Sequence, residues 1–253
     1  MLTSKKAPIT PLNLIFGTRA VMESILAGRT IEKIFLQRKF HTSFLKELYD
    51  LIHTHEIPFS YVPIQKLQRL ANGNHQGVVA VLSPIAFVSL DRIVQTTFEK
   101  GKAPLILLLD GVTDVHNVGA IVRTACCMGV DALVLPTQGS ASLSGAAMKT
   151  SAGALARLPL CRVANVSNAL GYLQSSGLAI VACHEQANQA LYQVDLKMPM
   201  VLILGGEGTG IATEHLKWAM HHIKIPMHGT IASLNVSVAA GMVLYEVLRQ
   251  RFV

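Results

Sequence analysis

A glycine-rich turn with a single acid, LILGGEGTG over 202–210, is the first stretch whose residues could do chemistry. An apolar strand that runs into such a turn is typical of sites that hold a cofactor through backbone groups. A Walker loop needs Lys and then Ser or Thr after its glycines, but Ile211 and Ala212 follow Gly210. A dinucleotide turn needs a glycine at 211 and an acid about twenty residues later, and both are missing. The turn therefore predicts another kind of cofactor site, with Glu207 as its acid.

A second polar stretch, NVGAIVR over 117–123, lies in an amphipathic pattern. Apolar residues recur at helical spacing, so the stretch predicts a helix that Asn117 can cap and that ends at Gly129. Arg123 lies about 40° around this helix from Gly119, one turn earlier. The bare glycine would open a space on the face from which Arg123 projects. A guanidinium there favours a role in holding a phosphate group, with an ordinary surface residue as the alternative.

A third stretch joins a strand to the last helix of the chain. It reads IPM at 225–227 and, after a loop, SLNVS at 233–237. Ser233 and Asn235 stand at the start of a helix whose apolar residues recur at helical spacing from Val236 to Leu248. Capping of the helix alone would explain both polar residues, and so would a role in a site.

The elements that must position these stretches form an alternating pattern of strands and helices. Strands are predicted at 105–109, 132–135, 179–183, 201–204 and 223–225. Each is almost wholly apolar, as expected for strands that are covered on both faces. The part of the chain from residue 104 therefore predicts an α/β fold with a mainly parallel sheet.

The first third of the chain predicts a separate small αβ unit. Helices are expected at 18–26 and 42–53, and strands at 31–38, 59–63 and 77–83. This gives a domain over 11–83, a linker with one short helix over 84–103, and a second domain over 104–253. The small unit carries many basic and aromatic side chains, among them Arg19, Arg29, Lys33, Arg38, Lys39 and Phe40. Either a solvated basic surface or an RNA-contacting one explains them.

Composition limits the classes of protein that remain. The 253 residues are 51% hydrophobic and carry a net charge of +7, a balance expected of proteins that meet polyanions. The longest apolar runs have the length of strands, so no membrane span is expected, and the N-terminus lacks the apolar region of a secretory signal. Four cysteines, at 126, 127, 161 and 183, have no metal-site spacing. They predict buried, inert thiols in a reducing cytoplasm and no metal site.

Together, the three polar stretches resemble the motifs of the SpoU (TrmH) branch of the SPOUT RNA 2'-O-ribose methyltransferases. Within that branch, the run from DGVTDVHNVGA to SLNVSVA is most similar to bacterial enzymes that methylate a guanosine in 23S ribosomal RNA. The resemblance covers nearly the whole chain, because IFGTRA over 15–20 and NHQG over 74–77 resemble the family's substrate-binding domain, which is similar to ribosomal protein L30e. Two residues differ from the family's usual motifs, Gly206 in the turn and Val115 before His116, and neither change affects a polar functional residue.

This resemblance implies a fold, a cofactor and a set of site residues. The C-terminal domain is expected to form a deep trefoil knot, an exception to the rule that chains are not knotted. The implied cofactor is S-adenosylmethionine, and the implied partners are ribosomal RNA, or its assembling subunit, and a second copy of the chain. The residues that would bind the cofactor are Gly205, Gly206, Ile225, Met227 and Leu234. The implied catalytic residues are Arg123, Asn117, Glu207, Ser233 and Asn235.

Two alternative functions remain open from the sequence. A transfer-RNA ribose methyltransferase of the same family shares the three motifs, although such enzymes more often carry short helical extensions than a full N-terminal unit. A non-catalytic RNA-binding protein could keep the fold, but it would have no reason to retain Asn117, Arg123, Glu207 and Asn235 together.

Overall fold

A computed structural model describes residues 14–38, 43–71, 73–83, 85–143, 145–230 and 233–252. The N-terminal segment 1–13, Lys39 and Phe40 lie outside the described residues. The chain divides into two compact units, Met1–Pro84 and Ile85–Val253, here called the N-terminal and C-terminal units.

The N-terminal unit has, in its described part, a four-stranded sheet in the order β1-β4-β2-β3. Its elements are β1 (Leu14–Phe16), α1 (Thr18–Leu26), β2 (Ile31–Gln37), α2 (Ser43–Thr54), β3 (Phe59–Val62), α3 (Ile64–Leu70) and β4 (Val78–Leu82). Residues of α1 and α2 share one apolar cluster with Ile34, Leu36 and Val78 of the sheet. Leu67 of α3 shares another with Val62 and Val79. The sheet is therefore covered by α1 and α2 on one face and by α3 on the other.

The C-terminal unit contains most of the regular structure. Its elements are α4 (Leu90–Glu99), β5 (Leu105–Asp110), α5 (Val115–Cys127), β6 (Ala132–Pro136), α6 (Ala146–Thr150), β7 (Leu160–Val163), α7 (Val166–Ser175), β8 (Ala179–Cys183), β9 (Gln189–Ala190), β10 (Met200–Gly205), α8 (Thr213–Leu216), β11 (His221–Lys224) and α9 (Val236–Phe252). Within the described ranges, the strands form one sheet in the order β7-β6-β5-β10-β8-β11-β9. Every strand pair in it is parallel, which confirms the predicted parallel α/β architecture.

Alternate residues of the central strands pack into two separate cores. On β5, Leu107 and Leu109 join α5 and α9 in one core, while Ile106 and Leu108 join α4 and α7 in the other. This arrangement explains the nearly continuous apolar run LILLL, because neither face of a buried parallel strand meets water. It also leaves the carboxyl ends of β5, β10 and β8 side by side, where such sheets bind ligands.

The predicted elements are mostly present, with differences at short ones. Helix α1 has the predicted bounds, and the predicted short helix before residue 104 is α4. The prediction missed β1, α3, β7 and β9, which span two to seven residues each. It also gave no bounds for the helices α6, α7 and α8. It also placed Ile225 in a strand, whereas β11 ends at Lys224. Of the four thiols that were predicted to be buried, Cys161 is buried, and Cys126 and Cys183 are half-buried. The prediction was wrong for Cys127, which is exposed because it lies at the solvent side of the last turn of α5.

Candidate active site

A cavity of about 320 Å³ lies at the carboxyl ends of β8 and β10. It is lined by all the predicted cofactor-binding residues, Gly205, Gly206, Ile225, Met227 and Leu234. These come from the end of β10, from the segment after β11 and from the loop before α9. The parallel sheet therefore brings together residues that the sequence predicted as one site.

The turn after β10 is closed by its own backbone. Gly205 has no room for a side chain, because an added Cβ would lie 2.2 Å from the carbonyl carbon of Gly210. The N–H of Gly206 donates to the carbonyl oxygen of Asp110, and the carbonyl oxygen of Gly206 accepts from the N–H of Gly210. Gly206 can thus offer a ligand only the remaining lone pair of its carbonyl oxygen. The glycines hold the shape of the cavity wall.

A buried aspartate–histidine pair fixes this turn to β5, and the sequence analysis missed it. Oδ2 of Asp110 accepts from Nδ1 of His215 at 2.7 Å and from the N–H of Ala212 at 2.8 Å. Both side chains are buried. A buried carboxylate must be hydrogen-bonded, and these two donors meet that need. The acid at the end of the apolar run LILLLD was the available signal, but nothing in the sequence pointed to His215 as its partner.

Three predicted catalytic side chains form one hydrogen-bonded cluster, which meets the cavity at Glu207. Oε1 of Glu207 accepts from Nδ2 of Asn235 at 2.7 Å and from Nδ2 of Asn117 at 3.0 Å. Nδ2 of Asn235 also donates to Oδ1 of Asn117 at 3.0 Å. Glu207 lines the cavity, and its Oε2 has no hydrogen bond to any described residue. The cluster therefore presents a fixed carboxylate oxygen that can accept a hydrogen bond from a ligand.

The position of Asn117 in its helix differs from the prediction. Helix α5 begins at Val115, and its cap is Asp114, whose side chain accepts from the N–H groups of His116 and Asn117. The acid takes the capping position because it lies one residue before the first helical turn. The prediction of Asn117 as the cap was wrong, and its side chain is free to reach Glu207. Asn235 does cap α9, since its Oδ1 accepts from the N–H groups of Ser237 and Val238.

Arg123 and Ser233 do not join this cluster. Ser233 lines the cavity but has no hydrogen bond to the three clustered side chains. Arg123 is exposed, and no described residue forms an ion pair with it. Asn117 and Arg123 project about 120° apart around α5 and about 9 Å apart along it. One chain therefore does not place the guanidinium beside its own Asn117.

The predicted open space beside Arg123 is absent. An added Cβ on Gly119 would lie 2.8 Å from Cβ of Thr150 and 2.9 Å from the carbonyl oxygen of Ala147. Gly119 thus allows α6 to pack against α5, and this prediction was wrong. Helical spacing shows where a glycine lies on a helix, but it does not show what packs there.

A histidine pair lies at the wall of the cavity formed by β8 and β11. Nε2 of His184 is 3.0 Å from Nδ1 of His222, and His184 lines the cavity. Burial, and then the neighbouring His222, lower the pKa of His184 below its usual value of 6.5. Beside it, burial and then Glu185 raise the pKa of the Cys183 thiol to about 12. Cys183 is therefore a neutral thiol in the cavity wall at neutral pH.

The lowered pKa of His184 predicts a pH dependence of stability. The folded state resists a proton that the unfolded state takes up below its pKa of 6.5, so the free energy of unfolding falls as pH drops below this value. We expect the thermal midpoint of the wild-type protein to fall more between about pH 7.5 and pH 5.5 than that of His184→Gln, which keeps a hydrogen-bonding side chain. Equal pH dependence of the two proteins would contradict the assignment.

Within the described ranges, no three His, Cys, Asp or Glu side chains group closely enough to hold a metal ion. No helix in the described part of the chain is both long and apolar enough to cross a membrane.

Comparison with known proteins shows similarity over both units. Residues 104–245 match the model of the SpoU rRNA Methylase family, and residues 14–88 match a model described as RNA 2'-O ribose methyltransferase substrate binding. The chain is 38% identical to the 23S rRNA (guanosine-2'-O-)-methyltransferase RlmB of Pseudomonas aeruginosa. That match covers 94% of this chain and 96% of the relative.

Solved structures of SpoU methyltransferases are also similar to this chain. The SpoU methyltransferase AviRb of Streptomyces viridochromogenes, in complex with the cofactor AdoMet, has a TM-score of 0.61 and 24% identity over 94% of this chain and 90% of its own. At that identity the likeness concerns the fold. The TrmH/SpoU tRNA modifying enzyme of A. aeolicus has a TM-score of 0.55 and 32% identity over 64% of this chain and 84% of its own.

Proposed function

Because the chain belongs to the SpoU rRNA Methylase family, we propose that it methylates the 2'-hydroxyl of a guanosine ribose in large-subunit ribosomal RNA. Members of this family are S-adenosylmethionine-dependent RNA 2'-O-methyltransferases, and so is this chain. The observation that carries the finer proposal is that the 23S rRNA enzyme of P. aeruginosa matches both units, over 94% of the chain.

A transfer-RNA substrate is the second candidate. The tRNA modifying enzyme of A. aeolicus covers 64% of this chain, against 94% for the ribosomal RNA enzyme. Residues 14–88, which match a substrate-binding model, give this chain an RNA-binding unit in addition to its methyltransferase unit. This extra unit favours ribosomal RNA as the substrate.

The cavity fits S-adenosylmethionine by its charge and its lining. Among the described lining residues none is Lys or Arg, whereas Glu185 and Glu207 are acids. A wall of this kind suits a cationic sulfonium better than a nucleotide phosphate. We propose that the apolar side chains of Ile225, Met227 and Leu234 enclose the adenosine, and that Gly205 and Gly206 let backbone groups approach it.

The clustered polar side chains would position the reacting ribose. S-adenosylmethionine, when bound, supplies the methyl group on its sulfonium. The residues of the chain must place the 2'-oxygen in line behind this methyl group, and such positioning supplies a large part of the rate. We assign this role to Asn117, Glu207 and Asn235, whose mutual hydrogen bonds hold the three side chains in place. Ser233 is a further contact at the cavity.

Arg123 would stabilise charge and leave the proton to another group. A guanidinium loses its proton only above about pH 12, so it is a poor general base. We propose that Arg123 holds the RNA phosphate next to the target and stabilises the alkoxide that develops on the 2'-oxygen. The proton then passes to a phosphate oxygen or to water.

A second copy of the chain would supply this arginine. Arg123 lies on a different side of α5 from the Asn117 cluster, so it can serve the cluster of another copy. The outer face of α9 offers a surface for such a homodimer, because Val238, Met242 and Tyr245 recur at helical spacing and are 51%, 45% and 60% exposed.

The finer features of the fold belong to the same proposal. We propose that the segment after β10 forms a trefoil knot; its support is that β10 lies between the earlier strands β5 and β8 and that α9 returns to pack on α5. The N-terminal unit would be similar to ribosomal protein L30e. The division into a substrate-binding domain over 11–83, a linker over 84–103 and a methyltransferase domain over 104–253 remains a prediction.

Disrupting the outer face of α9 is expected to separate the two copies. We expect Met242→Lys/Tyr245→Lys to elute as a monomer in light-scattering chromatography and to lose methyl transfer, since Arg123 of the other copy is then absent. Tyr192→Lys introduces one lysine at a side chain that is 62% exposed elsewhere in the C-terminal unit; this control should stay a dimer. A wild-type protein that is a monomer and fully active would contradict the shared site.

The test of the substrate is transfer of a tritiated methyl group to defined RNAs. Purified protein is incubated with S-adenosylmethionine and either large-subunit ribosomal RNA or bulk transfer RNA, and the modified nucleotide is mapped. Label on a guanosine 2'-oxygen in ribosomal RNA alone is the expected result. Label in transfer RNA alone would favour the second candidate over the first.

A further inference from the structure

Acidic residues are distributed unevenly between the two faces of the N-terminal sheet. The stretch 57–90 contains no Asp or Glu, although it includes β3, α3 and β4. The acids in the preceding part of the unit lie on other elements. Glu23 lies on α1, Glu47 and Asp50 lie on α2, Glu56 lies in the turn after α2, and Glu32 is buried in β2. The sheet face that α3 covers therefore carries basic residues, and α3 itself contributes no acid.

Four side chains define this surface, which we call the α3 face: Lys33, Phe35, Lys66 and Arg69. Nζ of Lys66 lies 4.8 Å from the centre of the Phe35 ring, and Nζ of Lys33 lies 5.8 Å from it. Arg69 is exposed and follows Lys66 by about one helical turn. One half-buried ring thus gathers two ammonium groups from different elements, β2 and α3.

This arrangement concentrates positive charge on one side of the unit. Like charges repel, and contact of an exposed ammonium with a ring is worth only about 0.5–1 kcal/mol. Lys33, Lys66 and Arg69 form no ion pair with any residue in the described part of the chain. Their positive charge is therefore available to a ligand outside the chain.

We infer that the α3 face binds the phosphate backbone of the RNA substrate, an inference that rests on the proposed function. Lysine and arginine that are held close together neutralise successive phosphates and release their counterions. Such contacts position an RNA without reading its bases. The α3 face thus secures the RNA, while the choice of nucleotide is made elsewhere.

The experiment compares two variants of the full-length protein with equal charge changes. Lys66→Gln/Arg69→Gln removes two exposed cations from the α3 face. Arg29→Gln/Lys46→Gln removes two exposed cations from the side of α1 and α2. Binding of a 23S ribosomal RNA transcript is measured at several salt concentrations, and methyl transfer and the Kd of S-adenosylmethionine are measured in parallel.

We expect the α3-face variant to lose about tenfold or more in RNA affinity, and the control variant less than about twofold. The slope of log Kd against log salt should flatten by about 1.4–1.8 in the α3-face variant, as expected for two lost phosphate contacts. Its kcat at saturating RNA and its Kd for S-adenosylmethionine should remain those of the wild type.

The other outcomes separate this inference from the proposed function. Equal losses in both variants would show that only net charge matters, and an unchanged affinity in the α3-face variant would leave that face to another partner, such as an acidic protein; either result would overturn the inference. If the wild-type protein methylates transfer RNA and not ribosomal RNA, the substrate proposal fails. The same comparison on transfer RNA then still tests the α3 face.

Discussion

Replacing Arg123 with alanine is expected to lower kcat for methyl transfer about a thousandfold, the effect of removing a group that stabilises charge in the transition state. The Kd of S-adenosylmethionine should change less than about twofold, because the proposed partner of Arg123 is the RNA phosphate and not the cofactor. Arg123→Lys keeps the charge but loses the planar fork, so we expect it to remain at least about tenfold below the wild type. Single-turnover methyl transfer with a cofactor-binding titration separates the two quantities.

A mixing experiment provides the control for this prediction. If the site combines Arg123 of one copy with Asn235 of the other, the strongly impaired Arg123→Ala and Asn235→Ser chains form heterodimers with one intact site. After equal mixing and re-equilibration, about a quarter of the wild-type activity should return, since half of the dimers are mixed and each has one of two sites. No recovery in verified heterodimers would place both residues in the same chain.

The lysine variant tests the guanidinium itself. Near-normal turnover of Arg123→Lys would show that the planar fork of the guanidinium is not needed.

The sequence predicted the long and strongly patterned elements well. Helix α5 buries Val118, Ile121, Val122 and Ala125, the stripe that helical spacing gives. The missed elements are short, and their burial depends on distant partners. Strand β1, for example, has three residues and exists as a strand by pairing with β4, more than sixty residues later. A short segment lacks enough residues to reveal a period, so its structure depends on contacts that the local pattern does not contain.

The sequence named the residues that are proposed for the site, but it did not give their geometry. Asn117, Glu207 and Asn235 come from three separate motifs, and the structure joins them through hydrogen bonds. Their chemical types and their places at the ends of strands and helices supplied the signal. Which nitrogen meets which oxygen is a tertiary property, and so is the absence of Arg123 from the cluster. A residue that is proposed to act in another copy cannot be recognised from the spacing within one chain.

The missed Asp110–His215 pair shows a further limit of local reasoning. A histidine in a short helix and an acid at a strand end are ordinary residues until folding buries them together. The pair holds the turn that carries Glu207, so it belongs to the support of the site. Burial of both partners is what makes the contact important, because an unpaired buried carboxylate would be costly.

Substitution of Asn235 is expected to separate helix capping from catalysis, because serine can replace its capping role alone. Its Oδ1 caps α9, while its Nδ2 donates to Glu207 and Asn117. Serine is as good a cap as asparagine but has no amide nitrogen to reach across. We therefore expect Asn235→Ser to lower kcat about a hundredfold, comparable with the loss of one fixed donor, and to leave the thermal midpoint within about 2 °C.

Asn235→Ala completes the comparison, because it removes the cap as well as the amide. It should share the loss of kcat and, in addition, lose about 1 kcal/mol of stability, equivalent to roughly 2–4 °C in the midpoint for a chain of this size. If capping were the only role, Asn235→Ser would have wild-type kcat and Asn235→Ala would differ from it in stability alone. The midpoints and single-turnover rates of the two variants therefore decide whether the amide nitrogen of Asn235 acts in the site or serves only the start of α9.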